Sequence, residues 1–337
     1  MTKKLYIEWL RIIAILFVIY NHTRTFGYEL FTVTSEKLSY WLSFMMYPLC
    51  KTAVPIFLMI SGVTLLNKQE TLKELYKKRI LKHVLIIVIF GSLQYLRYLR
   101  TGKVVLSLSA WFSSIYCQPV IETYWFLYLY LGFLLLLPIL RNVVMTIKKQ
   151  EYLYLFVLYC GFNVLTLLGY FTGYFINANI FNLANIIFYP LMGYGIDKYG
   201  CEIKKSLCIF ITITAEAVII MAGYIFMKIN PDNFAGLTNV IQMCTPMLSA
   251  GIFYIVRCLC NQKENKIICA IGSTVFGIYL MEDIIRNQVE KVIIQLDLAS
   301  KMNDFVVAAL FVAATFGCGA TLIYIFKSIC DLKNRGA

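Results

Sequence analysis

The sequence has few charged residues, and this scarcity excludes a soluble protein. Asp, Glu, Lys and Arg make up 15% of the 337 residues, 60% are hydrophobic, and the mean hydropathy is +0.72. A soluble domain of this length needs much less apolar surface, so we expect the excess to contact lipid. Acidic residues are the scarcer charged kind, 18 against 31 basic ones. In a membrane protein this balance favours loops that seek anionic lipid and anionic substrates.

Several sequence patterns are also missing. There is no nucleic-acid-binding motif, no tandem repeat and no linker, so we predict one membrane domain over residues 1–337 and no nucleic-acid partner. The only close cysteine pair, Cys258 and Cys260, has neither metal-site nor thioredoxin spacing, and we predict no metal centre. The N-terminal segment lacks a small-residue cleavage site and carries Arg11, which excludes a cleavable signal peptide.

Long apolar runs are what the sequence has instead. Crossing a bilayer takes about 20 residues, and ten runs approach or exceed that length. They predict an all-α polytopic membrane protein, a bundle of about ten transmembrane helices. The runs are about Leu5 to Phe26, Tyr40 to Leu66, Ile80 to Leu96, Tyr124 to Leu140, Tyr152 to Phe171, Ile180 to Ile196, Leu207 to Met227, Leu237 to Val256, Ile267 to Ile285 and Phe305 to Phe326. The segment Val104 to Ile121 is broken by serines, so we expect an interfacial or re-entrant piece there.

The distribution of basic residues predicts the orientation of the bundle. The alternate segments that include both termini hold twenty basic residues, whereas the opposite segments hold nine. By the positive-inside rule both termini are expected to be cytoplasmic, in a multi-pass protein of the cell membrane. The first helix then runs outward, with Arg11 in the inner half of the bilayer and His22 near the outer surface.

Three charged or titratable side chains, Glu8, Arg11 and His22, interrupt residues 7–22 of the first apolar run. Arg11 and His22 are eleven positions apart, which puts them on one helix face roughly 16 Å apart along the axis. An ionisable side chain at membrane depth is costly, so it usually faces a polar interior and has a function. In the alternative, Arg11 pairs with Glu8 or reaches the interface and His22 lies at the headgroups. Spacing alone favours neither interpretation.

The same residues carry a resemblance to a known family. Arg11, ten intervening residues and His22 resemble the R-x10-H signature of the membrane-bound acyltransferase 3 family. Further segments resemble that family's motifs in the same order. They are Val54 to Gly62 (VPxFFxISG), Lys78 to Lys82 (an RxxR-type cluster), Tyr124 to Leu127 with Pro138 (WFL…P), Phe188 to Gly195 (a GY helix end) and Phe276 to Leu280 (FxIYL). Two positions depart from the family, since Lys82 replaces an arginine and Glu282 stands where many members have histidine.

The resemblance implies O-acyl transfer. An acyl group, often acetyl, would move from acyl-CoA to a hydroxyl of a cell-surface glycan or its lipid-linked precursor. A hydroxyl needs a base tuned near neutral pH, and histidine is the usual choice. We therefore predict His22 as the general base and Glu282 as the carboxylate that orients its ring. In the alternatives, Glu282 pairs only with Arg286, and the other histidine, His83, is an interfacial residue or a phosphate neighbour.

Basic residues are the candidates for binding the acyl-CoA. Arg11 is expected to hold pantetheine or phosphate oxygens or the oxyanion of the reaction, unless it only pairs with Glu8. Arg79 and Lys82 at the cytoplasmic mouth suit the nucleotide phosphates, although the positive-inside rule also explains them. Lys51 falls near mid-bilayer, is expected to face the bundle interior, and joins the predicted donor-binding set.

Two other classes of membrane protein fit the same composition. Ten helices with intramembrane charges also describe a transporter or channel, although Pro55 and Pro138 do not occupy matching places in two halves. The other class is a non-catalytic component of a polysaccharide export or sensing assembly. Whether an acyltransferase would act by direct transfer or through an acyl-histidine is left open by the sequence.

Overall fold

The structure is a computed structural model that describes residues 4–117, 119–177, 180, 183–200, 204–260 and 265–335. Over these residues the chain is helical and forms no strand. The helices are α1 Leu5–Asn21, α2 Lys37–Lys51, α3 Ala53–Leu65, α4 Leu72–Leu75, α5 Leu81–Arg100, α6 Leu108–Tyr116, α7 Trp125–Thr146, α8 Lys149–Thr172, α9 Asn185–Tyr199, α10 Lys205–Ile229, α11 Phe234–Leu259, α12 Lys266–Gln295, α13 Leu298–Lys301 and α14 Asp304–Arg335. Part of the predicted sixth apolar run, residues 181–182, lies outside the described residues, as do Lys3 and Lys263 of the basic-residue count.

Eight stretches of the described chain are long and apolar enough to cross a membrane. Two of them join consecutive helices, Lys37–Leu65 from α2 and α3, and Leu72–Arg100 from α4, a π-helical turn and α5. The prediction of an all-α multi-pass membrane protein is thereby confirmed. The count of ten is not, because α1 has 17 residues and α9 only 15. The cytoplasmic location of both termini stays a prediction.

Helix α1 lies at the centre of the bundle. It contacts α2, α3, α11, α12 and α14, and Leu10, Ala14, Ile15 and Ile19 along it are fully buried. The helix ends at Asn21, five residues before the predicted end, and His22 is its C-terminal cap residue. The chain turns after His22, and Thr23 stabilises the turn. Its hydroxyl donates to the carbonyl of Tyr20 and accepts from the backbone N–H of Tyr28. His22 therefore stands at a helix end rather than within a helix.

The second predicted run is divided into two helices at Thr52. A single helix was expected from Tyr40 to Leu66, but α2 ends at Lys51 and α3 begins at Ala53. Pro55 explains the break, because a proline has no N–H to donate to the carbonyl four residues earlier, which is that of Lys51. The Thr52 N–H and hydroxyl both turn back to the carbonyl of Leu49, at 3.0 Å and 2.6 Å. The interruption leaves Lys51 at the end of α2, inside the bundle.

Helices α3 and α9 pack against each other through backbone. A β-carbon at Gly62 would collide with the main chain of Pro190, and one at Gly193 would collide with the main chain of Met59. Small residues such as these glycines allow backbones of membrane helices to approach closely. The contact fixes the wall of the bundle that α3 and α9 form together.

We expect Gly62→Ala to destabilise the protein by about 1–3 kcal/mol, because the added methyl must push two backbones apart. The measurement is thermal unfolding in detergent. Gly161→Ala is the matched control, since a β-carbon at Gly161 meets nothing within 4 Å and alanine is the better helix former. Equal unfolding temperatures for the two variants would contradict the close packing of α3 on α9.

The serine-containing segment after α5 forms the short helix α6. Its nine residues are too few to cross a bilayer, in agreement with the expected interfacial or re-entrant piece. It is tied to α5 by the Trp111 indole, which donates to the Ser92 hydroxyl at 2.9 Å, and by the Tyr95 hydroxyl, which donates to the carbonyl of Val105 at 2.5 Å. This segment therefore folds back onto α5 and does not add a span.

Candidate active site

One cavity of about 910 Å³ runs through the bundle. Its lining contains five of the six residues that the sequence predicts for the site. They are Arg11, His22, Lys51, Arg79 and Lys82. The sixth, Glu282, is 1% exposed and lies behind His22, at hydrogen-bond distance from its ring. All six predicted residues therefore belong to one continuous site.

His22 and Glu282 meet where the end of α1 packs on α12. The Nδ1 atom of His22 lies 3.1 Å from Oε2 of Glu282. Because an ionised carboxylate can only accept, Nδ1–H donates in this bond, and the lone pair of the neutral ring is then on Nε2. Two hydroxyls tie α12 to the start of α7 at this level, Tyr124 to the carbonyl of Leu280 at 2.7 Å and Tyr279 to that of Thr123 at 2.6 Å.

Glu282 belongs to a buried chain of ion pairs that was not predicted in full. Its other oxygen, Oε1, lies 3.0 Å from Nε of Arg286, so Glu282 contacts His22 and Arg286 at the same time. Asp283 continues the chain, with Oδ1 at 2.9 Å from Nη2 of Arg286 and Oδ2 at 2.6 Å from Nη1 of Arg97. Glu282, Asp283 and Arg286 occupy positions i, i+1 and i+4 of α12. Two acidic residues followed by an arginine at this spacing are the sequence signal from which the network could have been predicted. The network holds the Glu282 carboxylate from the side opposite His22.

Arg11 pairs with Glu8 and also faces the cavity. Its Nη1 lies 2.7 Å from Oε1 of Glu8, whose side chain is buried, while 32% of the Arg11 side chain stays exposed. Gly272 of α12 allows this arrangement, since a β-carbon there would collide with the Glu8 carboxylate. The structural pair and the cavity-facing position, alternatives in the sequence, are thus both present.

The Arg79 end of the cavity is organised by a carboxylate that was not predicted, Glu70. Arg79 forms a bidentate ion pair with it, from Nε to Oε2 at 2.8 Å and from Nη2 to Oε1 at 2.5 Å. Arg141 donates a further hydrogen bond of 2.9 Å to Oε2. The hydrogen bonds from Arg79, joined by Arg141, lower the pKa of Glu70 from 4.5 to about 2. Glu70 is therefore ionised at neutral pH and fixes the Arg79 guanidinium. Lys82, which also lines this end of the cavity, is exposed.

His83 and Lys51 line the same cavity in different surroundings. Nε2 of His83 lies 2.8 Å from the carbonyl of Leu127 and donates to it, so this ring has a neutral partner where His22 has a carboxylate. The Lys51 ammonium lies over two aromatic rings, 5.2 Å from the centroid of Tyr28 and 5.6 Å from that of Tyr47. Of the two histidines, His22 alone is supported by an acid.

A family model described as an acyltransferase domain matches residues 4–324 of the chain. That range covers all helices that line the cavity and both members of the R-x10-H pair. The chain belongs to the acyltransferase 3 family. No curated protein and no solved structure matches this membrane acyltransferase. The family assignment confirms the resemblance seen in the sequence motifs, and it makes the cavity the candidate active site.

The two ends of the acyltransferase cavity differ in chemistry. Lys78, Arg79 and Lys82 give one end a cluster of cations suited to phosphate groups. The other end has a carboxylate-supported imidazole, suited to proton transfer. Within the described residues no group of three or more His, Cys, Asp or Glu side chains could hold a metal ion. Glu216 of α10 does not line the cavity, and both of its oxygens are buried without a hydrogen bond.

Proposed function

We propose that this acyltransferase moves an acyl group, acetyl in the simplest case, from acyl-CoA to a hydroxyl of a cell-surface glycan or its lipid-linked precursor. The observation that supports the proposal is a single cavity lined both by the cationic residues around Arg79 and by His22 on its carboxylate. A donor with phosphates at one end and a thioester at the other fits such a cavity lengthwise. The cell membrane is the proposed location, with the basic end facing the cytoplasm.

The reaction we propose is direct transfer in a complex of both substrates. The acceptor hydroxyl oxygen attacks the thioester carbonyl carbon while Nε2 of His22 takes the hydroxyl proton. The attack forms the new C–O bond, and collapse of the resulting tetrahedral intermediate restores the carbonyl double bond and breaks the C–S bond. The proton on His22 then passes to the departing coenzyme A sulfur. Glu282 holds the tautomer that leaves Nε2 free and stabilises the imidazolium that forms in between.

Arg11 is proposed to bind the pantetheine part of the donor, because it lies roughly 16 Å from His22 along α1 and its guanidinium pairs with Glu8, one turn further from the base. Its cationic N–H groups are donors for the amide carbonyl oxygens of pantetheine, which lie between the phosphates at the mouth and the thioester beside His22. Glu8 supports this role because it accepts a hydrogen bond from Nη1 of Arg11 at 2.7 Å and leaves the other guanidinium nitrogens available to the cavity. Arg79 and Lys82 bind the nucleotide phosphates at the mouth.

The test of this function is transfer by membranes that contain the protein. Radiolabelled acetyl-CoA is supplied with a glycan extract from cells that lack the gene, and label in the glycan fraction is counted. We expect incorporation that depends on the protein and is released as acetate by mild alkali, as an ester is. A transporter or a non-catalytic assembly component would give no incorporation with any acyl-CoA donor, and that result would overturn the proposal.

Replacing Arg79 with methionine is expected to raise the KM for acetyl-CoA about tenfold or more, because a hydrogen bond to a charged group contributes about 1.5–3 kcal/mol. Acetyl-pantetheine, which lacks the nucleotide phosphates, should be used equally by the variant and the wild type. Lys77→Met is the matched control, since Lys77 is a neighbouring cation outside the cavity lining. An unchanged KM for acetyl-CoA in Arg79→Met would remove Arg79 from donor binding.

A further inference from the structure

Lys51 has no acid partner, unlike three other basic residues that line the cavity. Arg11, Arg79 and His22 each lie within 3.1 Å of a carboxylate oxygen. For Lys51 no carboxylate of the described chain is at ion-pair distance, and Glu29 acts on it only from further away. Its contacts are instead with the faces of Tyr28 and Tyr47. Lys51 is therefore an ammonium inside the bundle that pairs with no described carboxylate. Lys82, the other lysine of the lining without such a pair, is exposed at the mouth.

An unneutralised ammonium inside a membrane bundle is unfavourable in the empty protein and favourable once an anion arrives. Aromatic faces attract a cation but do not cancel its charge. Buried charges in proteins are otherwise paired, and ionisable residues at membrane depth usually mark the path of a substrate. The position of Lys51 in the cavity decides which substrate could bring the anion.

Lys51 lies far from the phosphate-binding end. The Arg79 cluster is tied to the last turn of α3, because Arg141, which binds Glu70, also donates to the carbonyl of Leu65 at 3.1 Å. Lys51 lies two residues before the start of α3, and the 14 positions from it to Leu65 correspond to roughly 20 Å of helix. On its other side Lys51 contacts Tyr28, six residues after His22. It therefore belongs to the end of the cavity where the acceptor meets the base.

Amide side chains line the cavity on the helices near Lys51. Gln242 lies on α11, which packs on α2 where the hydroxyls of Tyr47 and Thr238 meet at 2.6 Å. Within the described chain the Gln242 side chain makes no hydrogen bond. Asn185 accepts from the Tyr159 hydroxyl at 2.7 Å and keeps its amide N–H groups available. Amides that donate and accept without charge suit the hydroxyls of a sugar.

We propose that the acceptor is an acidic sugar, and that Lys51 binds its carboxylate or phosphate while Gln242 and Asn185 bind hydroxyls that are not acylated. This inference rests on the proposed function and deepens it by naming the chemical class of the acceptor. It also moves Lys51 from the donor-binding set, where the sequence placed it, to the acceptor site. Carboxylate and phosphate share the chemistry that Lys51 recognises, and the experiment separates them.

The first experiment measures the charge of the product. Membranes containing the full chain are given radiolabelled acetyl-CoA and a glycan extract from cells that lack the gene, and the labelled product is applied to an anion exchanger. We expect retention. Carbodiimide activation followed by borohydride reduction abolishes the retention of a carboxylate, whereas phosphatase or hydrofluoric acid abolishes that of a phosphate. A neutral labelled product would overturn the acidic-acceptor inference alone, and the absence of any labelled product would overturn the proposed function beneath it.

The second experiment asks which substrate Lys51 binds. Lys51→Met is expected to raise the KM for the glycan acceptor at least tenfold and to leave the KM for acetyl-CoA unchanged, and Lys51→Arg should restore most of the loss. Lys198→Met is the matched control, because Lys198 also lies over two tyrosine rings, Tyr194 and Tyr199, but outside the cavity lining. A raised KM for acetyl-CoA in Lys51→Met, or no change in either KM, would overturn the assignment. The charge of the wild-type product decides the inference even if Lys51→Met does not fold.

Discussion

Replacing His22 with alanine is expected to slow acyl transfer by about 10²- to 10⁴-fold, the range that general acid–base catalysis contributes. The loss should fall on kcat, because the imidazole acts on the proton of the attacking hydroxyl and does not bind the nucleotide end of the donor. The measurement is the initial rate of label transfer from acetyl-CoA to glycan, at saturating donor and equal amounts of folded protein.

His83→Gln is the control for this variant. His83 is the other histidine of the chain and lines the same cavity, but its Nε2 bonds a backbone carbonyl, which a glutamine amide can also reach. The rate of His83→Gln should stay within about threefold of the wild type. If His83→Gln lost the activity and His22→Ala kept it, the two histidines would have been assigned the wrong way round.

The second large effect is expected from Glu282→Gln, which keeps the shape of the side chain and removes its charge. A glutamine can present its N–H₂ to the imidazole and favour the tautomer with the proton on Nε2, and a neutral amide stabilises an imidazolium less than a carboxylate does. We expect kcat to fall about 10²-fold while the KM for acetyl-CoA is unchanged. Parallel kinetics of variant and wild type at the same expression level provide the measurement.

Asp283→Asn separates catalysis from stability in that experiment. Asp283 holds Arg286 and Arg97 in the same network but does not touch His22. Breaking a buried ion pair is destabilising in either variant, so both should unfold at lower temperature. Only Glu282→Gln should lose most of its kcat, and an equal loss in Asp283→Asn would reduce Glu282 to a structural residue.

Local geometry explains what could be predicted from the sequence. Helical spacing placed Arg11 and His22 on one face, and apolar run length gave the all-α multi-pass fold. The C-terminal end of α1 and the break between α2 and α3 were less predictable, because they depend on interactions of single residues. Pro55 is visible in the sequence, yet the break at Thr52 follows only when both Thr52 donors turn back to Leu49.

Contacts between distant segments explain what could not be predicted. His22 and Glu282 are 260 positions apart, so their contact was only one of two alternatives in the sequence, which does not establish that α1 and α12 touch there. Glu70 was overlooked because it lies in a polar loop, where a carboxylate carries no signal until Arg79 and Arg141 converge on it. The missing acid partner of Lys51 could be recognised only once Arg11, Arg79 and His22 had each been matched with a carboxylate.

The backbone contact between α3 and α9 has a mechanical consequence. At Gly62 and Gly193 the two helices meet without side chains whose rotamers could rearrange, so they are expected to move together as one rigid body. Any widening of the cavity for a bulky thioester then falls to the opposite wall. There the His83 ring and the carbonyl of Leu127 join α5 to α7 through a side chain, which can rearrange in a way that the backbone contact of α3 and α9 cannot.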